Sequence, residues 1–499
     1  MDITRLLVAN RGEIALRIIH ACREMGIATV AVYSDADATA RHVRAADTAV
    51  RIGPAPASDS YLKIPAVIDA ARSAGADAVH PGYGFLSERA GLAEACTAAG
   101  LIFVGPPAAA IERMGSKIGA RALMEQAGVP VVPGRTPGDQ TDAGIAAAAQ
   151  EIGFPVLIKA SAGGGGKGMR SARDRTTLAE AIPAARREAQ AAFGDGTLYV
   201  ERLIERPRHV EIQIFADDHG NAVHLFEREC SVQRRHQKII EESPSPALTP
   251  ALRDRMGAAA VAAARTAGYR NAGTIEFLLE GDGDAAHFYF LEMNTRLQVE
   301  HPVTELVTGT DLVRAQLLVA MGRPLPWRQE ALTQRGHALE CRVYAEDPAN
   351  GFLPQAGPLR LYREPSAPGI RIDSGVEEGT DVPVQYDPML AKLIASGETR
   401  TQAIERAAAA LRNFPILGVR TNVAFLIKVL EHPAFRAGRV HTGFVDEHLA
   451  SLLETAPPSA AVLAAAAFVR TASQTPSGTR GQAATASDPW ADLTGWGRP

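Results

Sequence analysis

Cysteine, aromatic residues and an excess of either charge are all scarce in this chain of 499 residues. The four cysteines, Cys22, Cys96, Cys230 and Cys341, are widely spaced and form no CxxC pair. This excludes a disulfide framework and a structural zinc site, and it fits a reducing cytosol. A formal net charge of −4 without a long lysine or arginine run removes the electrostatic basis for nucleic-acid binding. We therefore expect small molecules or proteins as partners.

The chain also lacks a segment that is apolar enough to enter a membrane. The N-terminus, MDITRLLVANRGE, carries charged residues before an apolar core of the signal type can form. The longest late apolar run, residues 460–469, is too short to span a bilayer. Together with 46% hydrophobic residues, these features predict a cytoplasmic, non-membrane protein of several domains.

Residues 6–115 alternate apolar strands with amphipathic helices, as in RLLVAN, GEIALRIIHACREMG and ATVAVYS. This alternation predicts a parallel α/β layer of the Rossmann type. Residues 10–13 and 80–84 form turns after two of its strands, and ligands of open α/β sheets collect at the carboxyl ends of strands. Either these turns bind substrate, or their glycine and proline serve only the turn.

The middle of the chain divides into a small unit and a mixed sheet. The pattern first predicts a helix over residues 116–128, with Ser116 as its cap and Lys117 in its first turn. The proline-rich VPVVPGRTPGD then opens a predicted mobile lid with the strands FPVLIKA and LYVERLIE and a helix near residues 178–192. The strands HVEIQIFA and AVHLFERE return the chain to a sheet over residues 209–322.

The predicted fold is α/β, with a mixed α+β part towards the C-terminus. The composition after Leu453 turns to Ala, Ser, Thr, Pro and Gly, which is typical of a linker or disordered tail. The predicted boundaries are residues 1–115 for the N-terminal α/β domain, 116–330 for a central domain with its lid at about 131–204, 331–453 for the C-terminal domain and 454–499 for the tail.

The stretch EMNTRLQVEHPVTE, residues 292–305, carries the densest set of reactive side chains. Just before it, TIEFLL and HFYFLE are predicted strands joined by EGDGDAA, which places Glu276 nearly opposite Glu292. Carboxylates roughly 5 Å apart repel each other, so a divalent cation is the natural resolution. Asn294 would add an oxygen ligand of the kind that Mg²⁺ prefers. A solvated hairpin end is the alternative.

A glycine-rich loop, residues 163–168, follows a strand that ends near Lys159. Backbone N–H groups in such a loop can approach phosphate oxygens because no Cβ stands in the way. The loop fails the Walker A pattern and the dinucleotide fingerprint, since the MRSA that follows is a predicted strand rather than a helix. A phosphate flap with Lys159 as counter-charge and a plain hairpin loop both remain open.

The segment ECSVQRRHQK, residues 229–238, places Gln233, His236 and Lys238 in a basic cluster after a predicted strand. Such a cluster can neutralise phosphate or bicarbonate. Cys230 is expected to be a packed core residue rather than a nucleophile, because no base partner is evident.

Two further side chains suggest chemistry and have structural alternatives. Glu300 could act as a general base, or it could form an ion pair with Arg296 four residues earlier. Arg342 in ECRVYAED is predicted to point inward, where it needs an anionic ligand or a structural salt bridge. His209 and Glu211 begin a neighbouring strand, and they either face the same cleft or are satisfied polar residues.

The ordered motifs ANRGEIA, HPGYGFLSE, GSK, IKASAGGGGKGM, RHVEIQ, ECSVQRRHQK, EMNTRLQVEHPVTE and ECRVYAED resemble the biotin carboxylase family of ATP-grasp enzymes over residues 5–453. The resemblance implies an N-terminal α/β domain, an ATP-grasp domain with a hinged lid, and a C-terminal domain that completes the active site. It also implies that ATP, bicarbonate and biotin give ADP, phosphate and carboxybiotin through carboxyphosphate, with Mg²⁺ or Mn²⁺ as cofactor.

Carried over residue by residue, the resemblance implies a role for most of these side chains. The catalytic positions are Lys238, Arg296, Glu300 as the base and Arg342, which binds biotin and stabilises its enolate. The bicarbonate positions are Lys238, Arg296, Gln298 and Val299, and the metal positions are Glu276, Glu292 and Asn294. The ATP positions are Lys117, Lys159, Gly163, Gly164, Gly165, Gly166, Gly168, Glu201, Arg202, Leu203, Ile204, His209, Gln233, His236, Glu276 and Glu292.

The expected partners also come from the resemblance. The biotin-accepting lysine of a carrier lies in a Met-Lys motif, and this chain has no Met-Lys dipeptide. We therefore expect biotin on a separate biotin carboxyl carrier protein or domain, together with a carboxyltransferase subunit and a homodimer. The segments IIEESPSPAL and GFVDEHL favour an acyl-CoA carboxylase of the acetyl, propionyl or methylcrotonyl type over pyruvate carboxylase.

Two other functions are compatible with parts of the pattern. One is another ATP-grasp ligase that forms carboxyphosphate; a carbamoyl-phosphate synthase is disfavoured because EMNTR occurs once. The other is a non-catalytic scaffold of a carboxylase complex, against which the intact set of Lys238, Arg296, Glu300 and Arg342 counts.

Overall fold

The computed structural model describes residues 2–161, 168–454, 460–461 and 463–464. The strands of its N-terminal part are β1 (Arg5–Val8), β2 (Ala28–Ser34), β3 (Thr48–Gly53), β4 (Ala78–His80) and β5 (Ile102–Phe103). The helices are α1 (Gly12–Glu24), α2 (Arg41–Ala45), α3 (Ile64–Ser73), α4 (Ala90–Ala98) and α5 (Ala108–Gly115). The sheet order is β3-β2-β1-β4-β5 and every pair is parallel, which confirms the predicted Rossmann-like layer.

The N-terminal sheet brings the two predicted turns together. Because β1 and β4 are neighbours, with Val8 beside His80, residues 10–13 and 80–84 leave the same edge of the sheet. The Asn10 side-chain amide joins the turns, since Nδ2 donates to the carbonyl oxygens of Pro81 and Tyr83, at 2.7 Å each.

The lid is a four-stranded antiparallel sheet covered by two helices. Its elements, after α6 (Lys117–Gln126), are β6 (Gly134–Arg135), α7 (Asp142–Ile152), β7 (Val156–Ala160), β8 (Arg170–Ala172), α8 (Arg175–Phe193) and β9 (Leu198–Arg202). The strand order is β6-β9-β7-β8. Ser116 caps α6 as predicted, its Oγ accepting from the Gly119 N–H at 3.2 Å. An Asp174 cap starts α8 three residues earlier than the predicted helix.

The central part supplies five strands and three helices. They are β10 (Arg208–Ala216), β11 (Ala222–Arg234), β12 (Gln237–Ser243), α9 (Pro250–Thr266), β13 (Asn271–Glu280), β14 (His287–Asn294), α10 (His301–Thr308) and α11 (Leu312–Ala320). The strand predicted to end at Glu229 runs on to Arg234, so that part of the prediction is wrong. It continues because its second half pairs with β12.

The C-terminal part adds short strands and a helical layer. Its elements are β15 (His337–Tyr344), β16 (Glu346–Asp347), β17 (Leu353–Pro354), β18 (Gly357–Pro358), β19 (Leu361–Tyr362), β20 (Ile370–Ser374), β21 (Asp381–Val382), β22 (Met389–Gly397), α12 (Arg400–Arg412), β23 (Ile416–Leu417), α13 (Val423–Glu431), α14 (Pro433–Arg436) and α15 (Phe444–Leu453). Helices α12 and α13 pack on β15 and β22 over a core that includes Ile404, Leu411, Phe425 and Leu426.

One eight-stranded antiparallel sheet connects the central and C-terminal parts. Its order is β14-β13-β10-β11-β12-β15-β22-β20. The connection is the β12–β15 pair, in which Ile240 lies opposite Cys341 and Glu241 opposite Glu340. The ladder therefore continues across the boundary predicted near residue 330, and the predicted domain limits stay a prediction.

The predicted tail lies almost wholly outside the described residues. In residues 454–499, which form a unit of their own, positions 460–461 and 463–464 are helical and exposed. Within the part of the chain that the structure describes, no helix combines the length and apolar character needed to cross a membrane.

Candidate active site

The predicted carboxylate hairpin forms between β13 and β14. Glu276 lies opposite Glu292 in the ladder, and Thr274 lies opposite Asn294. Burial and the neighbouring Glu276 raise the pKa of Glu292. Burial also works to raise the pKa of Glu276, but Lys238 and His209 outweigh it and hold that pKa below its ordinary value. Protein cations therefore compensate Glu276 more fully than Glu292.

The Lys238 ammonium is the centre of charge of the site. Its Nζ donates to Glu211 Oε2 at 2.5 Å, to Glu276 Oε1 at 2.8 Å and to Glu300 Oε1 at 2.6 Å. Burial opposes the charged form, yet these three carboxylates raise the pKa of Lys238 well above its usual value. A permanent cation therefore holds three strands and the start of α10 together at this point.

Lys238 belongs to a tight hairpin rather than to a segment that follows a strand. Gln233 on β11 faces Lys238 on β12. The two turn residues, Arg235 and His236, have φ of 49° and 67°, the conformation of the hairpin turns that asparagine and glycine usually occupy. Because that usual signal is absent, the sequence did not reveal the turn.

Glu300 lies between two cations. Besides Lys238, it accepts from Arg342 Nη2 at 3.0 Å, and Arg342 Nε donates to Glu241 Oε1 at 2.7 Å. Burial would raise the pKa of Glu300, but Lys238 and Arg342 hold it well below its usual range. Arg296 instead lies 3.4 Å from Glu88. Among the described residues, the alternative pairing of Glu300 with Arg296 is therefore not the one observed.

A second arginine lies beneath this cluster. Arg228 is fully buried and donates to Glu211 at 2.5 Å and to Gln213 at 2.7 Å. Burial raises the pKa of the adjacent Cys230 thiol well above its ordinary value, so the thiol stays protonated and is a poor nucleophile. The prediction that Cys230 is a packed core residue is confirmed.

His209 and Glu211 face the same cluster, one of the two predicted alternatives. His209 Nε2 lies 2.9 Å from Glu276 Oε2, and one donor atom each from His209, Glu211 and Glu276 lie within 4.8 Å of one another. The Lys238 ammonium bonds two of these carboxylates. It thus supplies the positive charge there.

The hairpin side of Glu276 fits a divalent cation better. Glu292 and Asn294 line a cavity of about 550 Å³, and carboxylate oxygens are the donors that Mg²⁺ and Mn²⁺ take. The raised pKa of Glu292 reflects negative charge that a cation would offset. In the present arrangement Asn294 bridges Glu276 and Arg296, with Nδ2 donating at 2.8 Å and Oδ1 accepting at 3.2 Å. Its role as a metal ligand stays a prediction.

Lys117 and Arg296 supply the positive walls of the same cavity. Burial and the charge of Lys159 lower the pKa of Lys117, while Glu292 works against that shift. The cavity thus combines cations with a hard-oxygen corner, a combination suited to a polyphosphate and its metal.

The lid contributes a buried ion pair and the predicted hinge. Lys159 Nζ on β7 donates to Glu201 Oε1 on β9 at 2.6 Å. Burial would lower the pKa of Lys159, but Glu201 raises it. Next to Glu201, Arg202 binds Glu280 on β13 at 2.7 Å. The predicted ATP positions Leu203 and Ile204 come directly after this strand.

The glycine loop lies largely outside the described residues, including Gly163, Gly164, Gly165 and Gly166. Its flanks, β7 and β8, pair antiparallel as predicted for a flap between two strands. Gly168 has φ of +71°, and a Cβ there would meet Ala160 Cβ at 3.0 Å. A side chain at this position would therefore be strained.

Residues 294–300 form the turn that carries the predicted bicarbonate positions. Arg296 Nη1 donates to Gln298 Oε1 at 2.7 Å, and Gln298 Nε2 donates to Glu276 Oε1 at 3.3 Å. The backbone carbonyl of Val299 accepts from Lys392 Nζ at 2.9 Å. The structure thus brings the predicted metal, bicarbonate and base positions into one contact network.

A second cavity, of about 440 Å³, lies on the other side of Arg296. Arg342 and Val299 line it together with both N-terminal turns, residues 10–13 and 83–84. Aromatic residues form much of the wall, and the Arg11 guanidinium lies 4.4 Å from the centre of the Tyr386 ring. Of the two interpretations of these turns, a place in a ligand site is thus the one favoured.

Several residues of the site were not among the predicted ones. Glu241 holds Arg342, Arg228 holds Glu211, and Lys392 holds Val299. Glu13 and Tyr386 line the second cavity. Their only signal in the sequence is a charged or aromatic residue in an otherwise apolar segment, which does not identify a partner.

Known protein families match nearly the whole of residues 2–447. Residues 2–111 match "Biotin carboxylase, N-terminal domain", residues 116–328 match "Carbamoyl-phosphate synthase L chain, ATP binding domain", and residues 340–447 match "Biotin carboxylase C-terminal domain". The central match covers an ATP-binding domain that is described under the name of another enzyme.

Individual relatives agree with these matches. The biotin carboxylase of Halalkalibacterium halodurans is 50% identical over 89% of this chain and 98% of its own length. The mitochondrial methylcrotonoyl-CoA carboxylase subunit alpha of Rattus norvegicus is 52% identical over 91% of this chain. The chain spans 63% of the length of that rat subunit.

A solved structure has the same fold. The biotin carboxylase domain of the Hydrogenobacter thermophilus 2-oxoglutarate carboxylase, a dimer in complex with MgADP, ADP and bicarbonate, superposes with a TM-score of 0.87 at 43% identity. The match covers 92% of this chain and all of that one. It agrees with the α/β architecture and the strand order described above.

Proposed function

We propose, because this chain belongs to the biotin carboxylase family, that it uses ATP and bicarbonate to carboxylate biotin through carboxyphosphate. One observation carries the proposal: Arg296 lines both cavities, and Glu300 lies beside it between Lys238 and Arg342. A reactive intermediate made from ATP on one side would have a short, charge-lined path to biotin on the other.

Glu300 is suited to deprotonate bicarbonate. Its low pKa keeps it ionised near neutral pH, so it can accept the proton. An anion bound against Lys238 and Arg296 would compete for these cations, and the pKa of Glu300 would rise towards that of a useful base. The freed oxygen of bicarbonate attacks the γ-phosphorus as the bond to ADP breaks.

The second half of the reaction falls to Arg342. Carboxyphosphate divides into CO₂ and phosphate, the phosphate takes the N1′ proton of biotin, and the resulting enolate attacks CO₂. A guanidinium at the cavity wall offers donors to the negative oxygen that develops on biotin. Glu241 holds Arg342 from behind and keeps that fork in place.

The metal and the lid complete the ATP side. Glu276 and Glu292 would hold Mg²⁺ or Mn²⁺, with Asn294 beside them, and the bound cation would offset the charge of the phosphate oxygens. Lys117, Lys159, Gln233, His209 and His236 would contact ATP. Closure of the lid about residues 202–204, with its glycine flap over the phosphates, would keep water from carboxyphosphate.

Biotin would reach the site on a separate carrier protein or domain, and a carboxyltransferase subunit would use the product. The 52% identity to the methylcrotonoyl-CoA carboxylase subunit supports an acyl-CoA as the final acceptor, in a homodimeric enzyme. A cytoplasmic location stays a prediction. Assays with purified carboxyltransferase subunits and a panel of acyl-CoA and 2-oxo acids would identify the acceptor.

The first test is ADP release from Mg-ATP with and without bicarbonate, and the fixation of ¹⁴C-bicarbonate into free biotin. We expect ADP release that requires bicarbonate and label that requires biotin. ADP release that needs bicarbonate and ignores biotin would instead identify another ligase that forms carboxyphosphate. A folded protein without turnover would identify a scaffold.

A further inference from the structure

Lys392 is a fully buried lysine outside the predicted site. It lies on β22, and its side chain is 0% exposed. Nζ donates to the Val299 carbonyl at 2.9 Å and lies 3.2 Å from Glu13 and 3.6 Å from Asp373. Burying an ammonium is costly unless its charge and its three N–H groups are satisfied. Here the groups that satisfy it come from three separate parts of the chain.

Two of these contacts lead to the second cavity. Glu13 lies in the first turn of α1 and accepts a hydrogen bond from the Tyr83 hydroxyl, and both residues line that cavity. Val299 also lines it and directly precedes Glu300. The Lys392 ammonium therefore joins the N-terminal wall of the cavity to the turn that carries Arg296, Gln298 and Glu300.

Lys392 is also placed beside Arg342. The two residues are opposite each other in the β15–β22 ladder, so their side chains leave the same face of the sheet. Arg342 reaches the cavity wall, whereas Lys392 stays buried behind it. Such a residue can act on a bound substrate only through the groups that it holds.

We propose that Lys392 is a positioning residue, which fixes the Val299 carbonyl against Glu13 and thereby sets where Glu300 and its turn stand in the second cavity. This inference rests on the proposed function, since that function places bicarbonate and biotin there.

A Lys392→Met variant should still fold. Asp373 keeps Arg371, which donates to both of its carboxylate oxygens at 2.8 Å. Burial raises the pKa of Glu13 to about 7 and Lys392 works against that rise, so Glu13 would take up a proton once the ammonium is gone. The variant therefore leaves no unpaired buried charge at these contacts.

The direct test is hydrogen–deuterium exchange on the full chain. Lys392→Met should speed exchange in residues 10–13 and 295–300 about tenfold, the loss expected for one hydrogen bond to a charged group. Lys63→Met, at an exposed lysine of the same N-terminal part, is the matched control and should change neither segment. Unchanged exchange in both segments of Lys392→Met would overturn the inference.

Kinetics distinguish positioning from general damage. In Lys392→Met the KM for bicarbonate and for free biotin should rise about tenfold, with the dissociation constant of ATP unchanged. An equal loss of ATP affinity would overturn the positioning role. If Lys392→Met fails to fold, Lys392→Gln, which keeps a donor without the charge, is judged by the same exchange criterion.

The failure of the proposed function would look different. Wild-type protein without bicarbonate-dependent ADP release would refute that function, while faster exchange in Lys392→Met would still show that the lysine holds the turn. Glu13→Gln, which keeps an acceptor for Lys392 and Tyr83, should slow bicarbonate-dependent turnover less than Lys392→Met does; an equal or larger effect would contradict the assigned geometry.

Discussion

The two cavities that meet at Arg296 are built in different ways. The wall of the cavity proposed for ATP includes consecutive residues from 290 to 296 together with Lys117 at the start of α6. The wall of the cavity proposed for biotin draws on residues 10–14, 83–85, 342–344 and 385–389, from the N-terminal and C-terminal parts. One cavity is thus mostly a local feature of a hairpin, and the other exists only when distant parts have packed.

The charges differ in the same manner. On the hairpin side, Glu292 keeps a raised pKa because its neighbour Glu276 is another carboxylate, and a metal ion would supply the missing positive charge. On the other side, protein cations already balance the carboxylates, as in the pairs of Arg342 with Glu241 and Lys392 with Glu13. The first side is prepared for a cation that arrives with its substrate, and the second for anions and a neutral ring.

Glu300→Gln should have the largest effect, because Glu300 serves both sides. We expect bicarbonate-dependent ADP release to fall about 1,000-fold, the range of a lost general base, with ATP affinity nearly unchanged. The fold should survive, since Lys238 keeps Glu211 and Glu276 and Arg342 keeps Glu241.

Glu340→Gln is the matched control for that substitution. Glu340 is also buried, and burial raises its pKa well above the usual value, so an amide resembles its protonated form. ADP release should be close to wild type in this control. Equal losses of ATP affinity and turnover in Glu300→Gln would rule out the base assignment.

Arg342→Ala should break only the biotin side. Carboxylation of biotin should fall about 100-fold through the loss of enolate stabilisation, while bicarbonate-dependent ADP release continues. The double variant with Glu241→Gln removes the carboxylate that would otherwise be left unpaired, and it should show the same division. Measurement of ¹⁴C fixation beside ADP release tests this, and retained fixation would give Arg342 a structural role.

Glu292→Gln should weaken only the metal side. We expect the Mg²⁺ concentration for half-maximal ADP release to rise about tenfold, equivalent to the loss of one modest ligand contact. Asp282→Asn, the same change of charge at the exposed tip of the hairpin, should leave the Mg²⁺ requirement unaltered. A chelator should abolish turnover in all variants. An unchanged Mg²⁺ curve in Glu292→Gln would contradict the assignment.

The smallest effect should be on acid stability at the junction of the cavities. The pKa of Glu300 is lowered on folding, so its contribution is complete above the unfolded pKa of about 4.3 and is lost as the pH falls through the folded value. Thermal unfolding from pH 6 to pH 3, in steps, should therefore show a Tm that falls more steeply in wild type than in Glu300→Gln. Parallel curves would mean that Glu300 does not contribute in this way.

Much of the hairpin side could be predicted because its geometry is local. Alternation of apolar residues and the EGDGDAA turn were sufficient to place Glu276 opposite Glu292, and the structure confirms that register. The sequence also indicated Ser116 as the cap of α6 and a flap between β7 and β8, with both flanking strands confirmed. Where a turn lacked its usual residues, as at Arg235 and His236, the prediction failed.

The biotin side could be predicted only in part. Arg342 was expected to point inward, but its partner Glu241 could not be named, since the two lie on strands about a hundred residues apart in sequence. The continuation of one sheet through β12 and β15 was not anticipated either. Pairing between such distant strands depends on how whole layers pack, which local patterns do not encode.

The sequence alone determined the kinds of element, the supply of carboxylates and cations, and the opposition of Glu276 and Glu292 across one short turn. Only the tertiary structure decided which cation serves which carboxylate: Lys238 for three of them, Arg342 for Glu300, and Lys392 for Glu13. The reason is physical. Alternation along a strand determines the face on which a side chain lies, whereas the partner across that face is chosen by burial and charge balance once distant strands have met.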